Sequence, residues 1–100
     1  MSDVEAVEAL WAPPGGPLYV LRQGILTSEG VSGVSAVLRS IEIDSGSSQI
    51  SRRLVSLLWY MPIFIDWQEG RFAERGGDIA VLRRFRAEVT NEIERILGTP

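Results

Sequence analysis

The stretch 57-LLWYMPIFIDW-67 decides the fold of this chain. Apolar side chains run from Leu57 to Ile65 around Pro62, and Asp66 then precedes Trp67. A helix that buries one stripe against a core is polar on its other side, whereas this segment is apolar around most of its circumference. We therefore expect it to be buried on several sides, either by its own domain or by a partner.

The helical pattern extends from this stretch in both directions, from Ile50 to about Arg75. The main buried face is predicted from residues at three- and four-residue steps: Ile50, Leu54, Leu57, Leu58 and Met61. Three further residues widen the apolar arc: Val55, Trp59 and Tyr60. Because proline lacks a backbone N–H and clashes with the preceding turn, Pro62 predicts a kink between two helical halves, or a break near Met61.

A second long helix is predicted between Asp78 and Leu97. Asp78 follows Gly76-Gly77 and can cap the first turn, and Gly98 is placed to end the helix. Its buried stripe is predicted to be Ile79, Leu82, Phe85, Val89, Ile93, Ile96 and Leu97. A row of charged residues on the opposite face is expected to be solvated: Arg84, Glu88, Glu92 and Arg95.

Three shorter segments complete the chain. Residues 2–11 and 30–43 have helical spacing, with Ser2 or Asp3 and Thr27 or Ser28 as caps, and APPGGP at 12–17 ends the first of them. Residues 18–26 fit a helix beginning at Pro17 or a strand, and we favour the helix because no partner strand is evident. Residues 44–49 are expected to form a solvated turn. The sequence thus predicts one all-α domain, 1–100, a compact bundle of four or five helices with a Pro-kinked central helix.

The composition argues against most catalytic chemistry. All ten basic residues are arginine, as is typical of a GC-rich bacterial genome, and there is no Cys, His or Lys. The chain therefore lacks a thiolate, the usual general base and metal ligand, and a Schiff-base amine. No phosphate-binding loop and no catalytic carboxylate pair is recognisable. We expect neither an enzyme nor a metal or cofactor site.

The charge and hydropathy patterns bear on partners and location. The formal net charge is −3, so attraction to nucleic acid or to an anionic membrane is expected to be weak. The N-terminus MSDVEAVEAL is acidic, unlike a signal peptide, and every apolar run is far shorter than the ~20 residues that span a bilayer. We expect a soluble, cytoplasmic protein that binds neither nucleic acid nor membrane.

Two charged residues, Asp66 and Arg86, fall in apolar surroundings and are candidates for buried charges. If both are buried, each needs a partner, because an isolated buried charge costs several kcal/mol. Arg86 has three alternatives: its head stays in water above the core, it pairs with Asp66, Asp44 or a glutamate, or it binds an external carboxylate or phosphate in a groove. Asp66 can instead belong to a narrow polar strip with Glu69 and Ala73.

A compact acidic helical chain without reactive side chains is best interpreted as a small protein-interaction module. The candidate partner-binding residues, taken from the apolar surface that one domain cannot easily cover, are Val55, Trp59, Tyr60 and Trp67. For each tryptophan, including Trp11, the alternative is ordinary core packing. A protein partner or self-association as a homodimer would cover such a surface.

Two more specific functions are compatible with this pattern. In size and acidity the chain resembles the immunity proteins of toxin systems, which implies specific inhibition of a basic protein partner. The second hypothesis is a domain that binds a small molecule, carboxylate or phosphate in a pocket lined by Tyr60, Trp59 and Arg86.

Overall fold

The computed structural model describes residues 2–43 and 49–98, which form six helices and no strand. In chain order these are α1 (Asp3–Trp11), α2 (Pro17–Leu21), α3 (Ser28–Ser40), α4 (Arg52–Trp67), α5 (Glu69–Glu74) and α6 (Ile79–Leu97). The predicted all-helical class is confirmed, with α2 and α5 as short connecting helices of five and six residues. Asp44 and nearly all of the turn predicted at 44–49 lie outside the described residues.

Each of the four longer helices begins at a side chain that accepts a hydrogen bond from a backbone N–H of the first turn. Ser2 caps α1 in a capping box with Glu5, Thr27 caps α3, Ser51 caps α4 and Asp78 caps α6. Such caps satisfy backbone donors that the helix itself leaves free, and each contributes about 1 kcal/mol. Local sequence signals therefore set where these helices begin.

The end of α3 is instead held by a residue distant in sequence, Arg95 of α6. Its guanidinium donates to the carbonyl oxygens of Leu38 at 2.8 Å and Ile41 at 3.1 Å, while its Nε donates to Glu92 at 3.0 Å. The sequence pattern placed Arg95 and Glu92 in a solvated row. The Arg95 side chain is 45% exposed, as predicted, but it also binds the end of α3, which the pattern did not indicate. The side chain lies at the edge of the α3–α6 contact, where it satisfies terminal carbonyl groups.

Helix α4 supplies the centre of the core. Its buried residues are Leu54, Leu57, Leu58, Met61, Phe64 and Ile65. The helix continues through Pro62, so a break near Met61 is wrong; the interruption comes at Gln68, before α5. Buried residues on both sides of Pro62 hold the two halves of α4 against the same core. The kink at Pro62 stays a prediction.

Helix α6 buries most of its predicted stripe. Five of its residues are buried, Leu82, Phe85, Val89, Ile93 and Ile96, whereas Ile79 is half-buried. Leu97, in the last turn, is exposed, so its placement in the buried stripe is wrong. The buried residues of all six helices form one contiguous cluster.

Helix α4 packs against α1 on one side and α6 on the other, and α3 contacts both α1 and α6. The backbone measures 45 × 29 × 19 Å along its principal axes. Since packed helices lie about 8–10 Å apart, a depth of 19 Å has room for two helical layers and not for a third. One side of α4 therefore has no helix over it. None of the helices in the described ranges combines the length and the apolar composition that a membrane-spanning segment needs.

The turn between α1 and α2 requires glycine at one position. A Cβ added at Gly16 would lie 2.6–2.7 Å from the carbonyl oxygens of Ala12, Ala9 and Leu10, whereas one added at the adjacent Gly15 would meet nothing within 4 Å. The N–H of Gly16 also donates to the carbonyl of Ala12 at 2.8 Å. Gly16 thus lets α2 start directly against the carboxyl end of α1.

We expect Gly16→Ala to lower the free energy of unfolding by about 2 kcal/mol or more, because backbone oxygen atoms cannot move away as a flexible side chain could. Gly15→Ala is the matched control and should change it by less than about 1 kcal/mol. Urea unfolding followed by circular dichroism measures both. Equal effects of the two substitutions would contradict this account of the turn.

We expect Arg95→Gln to destabilise the fold by about 1–2 kcal/mol, because the carbonyl groups at the end of α3 lose their charged donor. Arg84→Gln removes the same charge from the same helix, and since Arg84 forms no ion pair in the described part of the chain, its effect should stay within about 0.5 kcal/mol. Thermal unfolding of the two variants at one ionic strength provides the comparison.

Candidate functional site

The uncovered side of α4 carries a row of large apolar residues, which we call the aromatic face. Its members are Val55, Trp59, Tyr60, Ile63 and Trp67. Trp59 is 52% and Trp67 66% exposed, while the other three are half-buried. Such contiguous apolar surface on a small domain marks a site of interaction more often than an isolated exposed side chain does.

Tyr60 holds the rings of this face together. Its ring centroid lies 5.9 Å from that of Trp59 and 5.9 Å from that of Trp67, and both contacts are edge-to-face. On the inner side Tyr60 stacks on Trp11 of α1, with centroids 6.0 Å apart. These are favourable aromatic geometries, so the two exposed indoles are held on a packed support.

The three tryptophans have different roles. Trp11 packs against the core, edge-on to Phe64 with centroids 5.0 Å apart, and its buried indole nitrogen has no hydrogen-bond partner within the described residues. For Trp11, core packing is the correct alternative. For Trp59 and Trp67 it is wrong, because both lie on the side of α4 that no helix covers.

The structure brings Asp66 and Arg86 together, but neither is buried. Arg86 Nη1 lies 2.7 Å from Asp66 Oδ1, and the two side chains are 40% and 47% exposed. Burial of these charges is therefore wrong, since no charged residue is buried in the described part of the chain. The pair lies where α4 and α6 face water, so each charge keeps much of its hydration.

The ion pair lies in an open groove of about 520 Å³ between α4 and α6. Its lining residues are Pro62, Ile63, Asp66, Arg86, Ala87, Thr90 and Asn91. Trp59 and Tyr60, which the sequence analysis grouped with Arg86, are not among its lining residues. The hydroxyl of Thr90 donates to the Arg86 carbonyl at 2.8 Å and serves the helix itself.

The sequence did not indicate two residues that lie at or near the candidate site. Ile63 lies four residues from both Trp59 and Trp67, so helical spacing alone could have placed it in the aromatic face. Arg22, which follows α2, has its guanidinium carbon 5.0 Å from the centroid of the Phe64 ring, behind Trp11. No pattern in the sequence indicates that second contact, because it depends on how α2 packs beside α4.

The carboxylates of the described ranges are dispersed. Four ion pairs occur there: Arg53–Glu8, Arg83–Glu69, Arg86–Asp66 and Arg95–Glu92. No group of three carboxylates in residues 2–43 and 49–98 is arranged to hold a metal ion.

A double-mutant cycle tests the surface character of the central pair. Asp66→Asn and Arg86→Gln should each cost less than about 1 kcal/mol of unfolding free energy, with a coupling energy of about 0.2–1 kcal/mol, because water screens both charges. Urea unfolding of the wild type, both single variants and the double variant measures the coupling. A coupling energy of about 3 kcal/mol would show instead that the pair is desolvated in solution.

The chain has no significant match among protein-family models, curated protein sequences or solved structures. The aromatic face and the ion-paired groove are accordingly interpreted from their own geometry.

Proposed function

We propose that this chain is a small non-catalytic protein-interaction module that binds a protein partner through the aromatic face. One observation carries the proposal: Trp59 and Trp67, 52% and 66% exposed, both pack edge-on against Tyr60 of the same helix. Tryptophan and tyrosine dominate the binding energy of protein interfaces, and a single helix presents both tryptophans here.

The support beneath the exposed rings favours binding. An interface side chain that is mobile in the free protein loses conformational entropy when it is bound, at about 0.5–1.5 kcal/mol for each. Trp59 and Trp67 already contact Tyr60, which in turn stacks on Trp11. Less freedom is then lost when a partner covers the face, and more of the apolar contact contributes to affinity.

The alternative function, binding of a small carboxylate or phosphate by Arg86, has weaker support. Asp66 already accepts a hydrogen bond from Arg86 Nη1 at 2.7 Å, so an incoming anion would have to compete with this carboxylate. The groove around Arg86 is open to water, which screens the attraction. Inhibition of a toxin-like partner in the cytoplasm is one specific form of the proposed function, and self-association as a homodimer is another.

The double variant Trp59→Ala/Trp67→Ala tests the proposal, with Val81→Ala/Leu97→Ala as control. Val81 and Leu97 are also exposed apolar residues, but they lie on α6, outside the aromatic face. A partner captured by the wild type from its source cells is purified, and its affinity for each variant is measured by calorimetry. We expect the first variant to bind about 100-fold more weakly and the control within about threefold of the wild type.

Two further measurements accompany the affinity. The unfolding free energy of Trp59→Ala/Trp67→Ala should stay within about 1 kcal/mol of the wild type, because exposed rings contribute little to the core. Sedimentation equilibrium shows whether a second copy occupies the face, in which case the same variant abolishes the dimer. A wild-type chain that is monomeric and captures nothing beyond what the double variant captures would refute the function.

A further inference from the structure

Arginines from two distant parts of the sequence meet at one end of the aromatic face. Arg71 of α5 donates a hydrogen bond from Nη1 to the backbone carbonyl of Arg22. A Cβ added at Gly24 would lie 3.1 Å from Cγ and Cδ of Arg75 and 3.4 Å from Cγ of Arg71, so both stems lie against this glycine. We call Arg22, Arg71 and Arg75 the arginine cluster.

The cluster is continuous with the aromatic face through Trp67. Arg22, Trp67 and Arg71 line one concavity of about 480 Å³, together with Gln68, Gly70 and Glu74. All three arginine side chains are exposed, and Trp67 is the most exposed of the large apolar residues. Cationic and aromatic surface therefore adjoin along the line from α4 to α5.

The positive charge of the cluster is not neutralised within the described residues. The four ion pairs found there use other arginines, and none involves Arg22, Arg71 or Arg75. Glu74 is the single carboxylate among the residues that line the concavity. A chain with a net charge of −3 thus carries a local excess of positive charge beside its exposed tryptophan.

Helix geometry explains only part of this arrangement. Arg22 and Arg75 directly follow the carboxyl ends of α2 and α5, where a positive charge is favourable. Arg71 satisfies a terminal carbonyl of α2, as arginines near helix ends often do. Arg22 in addition has its guanidinium carbon 5.0 Å from the centroid of the Phe64 ring. None of these roles requires three arginines in one part of the surface, where like charges repel one another.

We propose that the arginine cluster binds an acidic segment, with at least two Asp or Glu side chains, of the protein that covers the aromatic face. This inference rests on the proposed function and adds the chemistry of the partner. The planar guanidinium group matches the geometry of a carboxylate and can bind it through two parallel hydrogen bonds. Trp67 supplies the adjoining apolar contact.

A protein carboxylate fits this surface better than a nucleic acid does. A polyanion extends beyond the cluster, where it would meet the overall negative charge of the chain. A short acidic segment can remain beside the arginines, and the apolar residues that flank it can lie on Trp59 and Trp67. The preference therefore follows from the small area of the cluster and from its continuity with apolar surface.

The test uses the full-length ¹⁵N-labelled chain, titrated at low ionic strength with a short oligoglutamate peptide and followed by NMR. We expect the indole N–H signal of Trp67 and the amide signals around the cluster to shift. The variant Arg22→Gln/Arg75→Gln should bind the peptide about tenfold more weakly. Arg39→Gln/Arg84→Gln removes the same charge from two arginines elsewhere that form no ion pair within the described residues, and it should bind within about twofold of the wild type.

Three results would overturn the inference: no binding of oligoglutamate, equal weakening by both double variants, or tighter binding of oligothymidine than of oligoglutamate at the same residues. None of these results bears on the proposed function, which depends on Trp59 and Trp67 and is tested by the affinity for the captured partner. Conversely, if Trp59→Ala/Trp67→Ala leaves partner affinity unchanged while the peptide still binds the cluster, the proposed function is refuted independently of the peptide binding. Circular dichroism of each variant confirms that the helices are retained.

Discussion

The structure depends on the burial of one side of α4. Leu58, Met61 and Ile65 are fully buried there, and both long neighbours of α4 are placed by contact with this side. A two-layer arrangement can cover only that side, yet α4 is apolar around most of its circumference. The packing that stabilises the domain therefore also leaves the opposite surface, centred on Trp59, without cover. The candidate site is a direct consequence of how the core is built.

Arginine side chains make most of the ion pairs and side-chain hydrogen bonds between helices in the described part of this chain. Arg53 pairs with Glu8 across α4 and α1, and Arg83 pairs with Glu69 across α6 and α5. Arg95 and Arg71 donate hydrogen bonds to carbonyl groups at the carboxyl ends of α3 and α2. A guanidinium carries five donors in a fixed plane, so one side chain can serve several acceptors, which an ammonium group does less well. Exposed ion pairs of this kind each contribute little energy.

Local features were predictable from the sequence, and features that depend on helix placement were not. The cap at Asp78 and the end at Gly98 follow from residues within one turn, and both are as predicted. At Pro62 the sequence left a kinked helix and a break as alternatives, because the choice between them depends on packing on both sides of the proline. Arg95 lies in a charged row by sequence, and only the position of α3 beside α6 gives its guanidinium acceptors.

The same distinction between local features and helix placement applies to the candidate site. Helical spacing placed Trp59, Tyr60 and Trp67 outside the main buried stripe, which was sufficient to nominate them. It also allowed Asp66 to pair with Arg86, but whether the pair is buried depends on the separation of α4 and α6, which periodicity does not encode. Arg71 and Arg75 are four residues apart, but their proximity to Arg22 was not predictable, because it depends on where α2 lies relative to α5.

A partner interacts mainly with the charged groups near the contact and much less with the net charge of the chain. At physiological ionic strength the Debye length is about 8 Å, so charged groups on the far side of the domain are largely screened from a ligand at the aromatic face. The net charge of −3 suggested a basic partner, as for an immunity-type inhibitor. Arg22 and Arg71 line one concavity with Trp67, and Glu74 is the single carboxylate among its lining residues. This pairing of cationic and aromatic surface is the basis of our proposal of a partner whose acidic residues adjoin apolar ones.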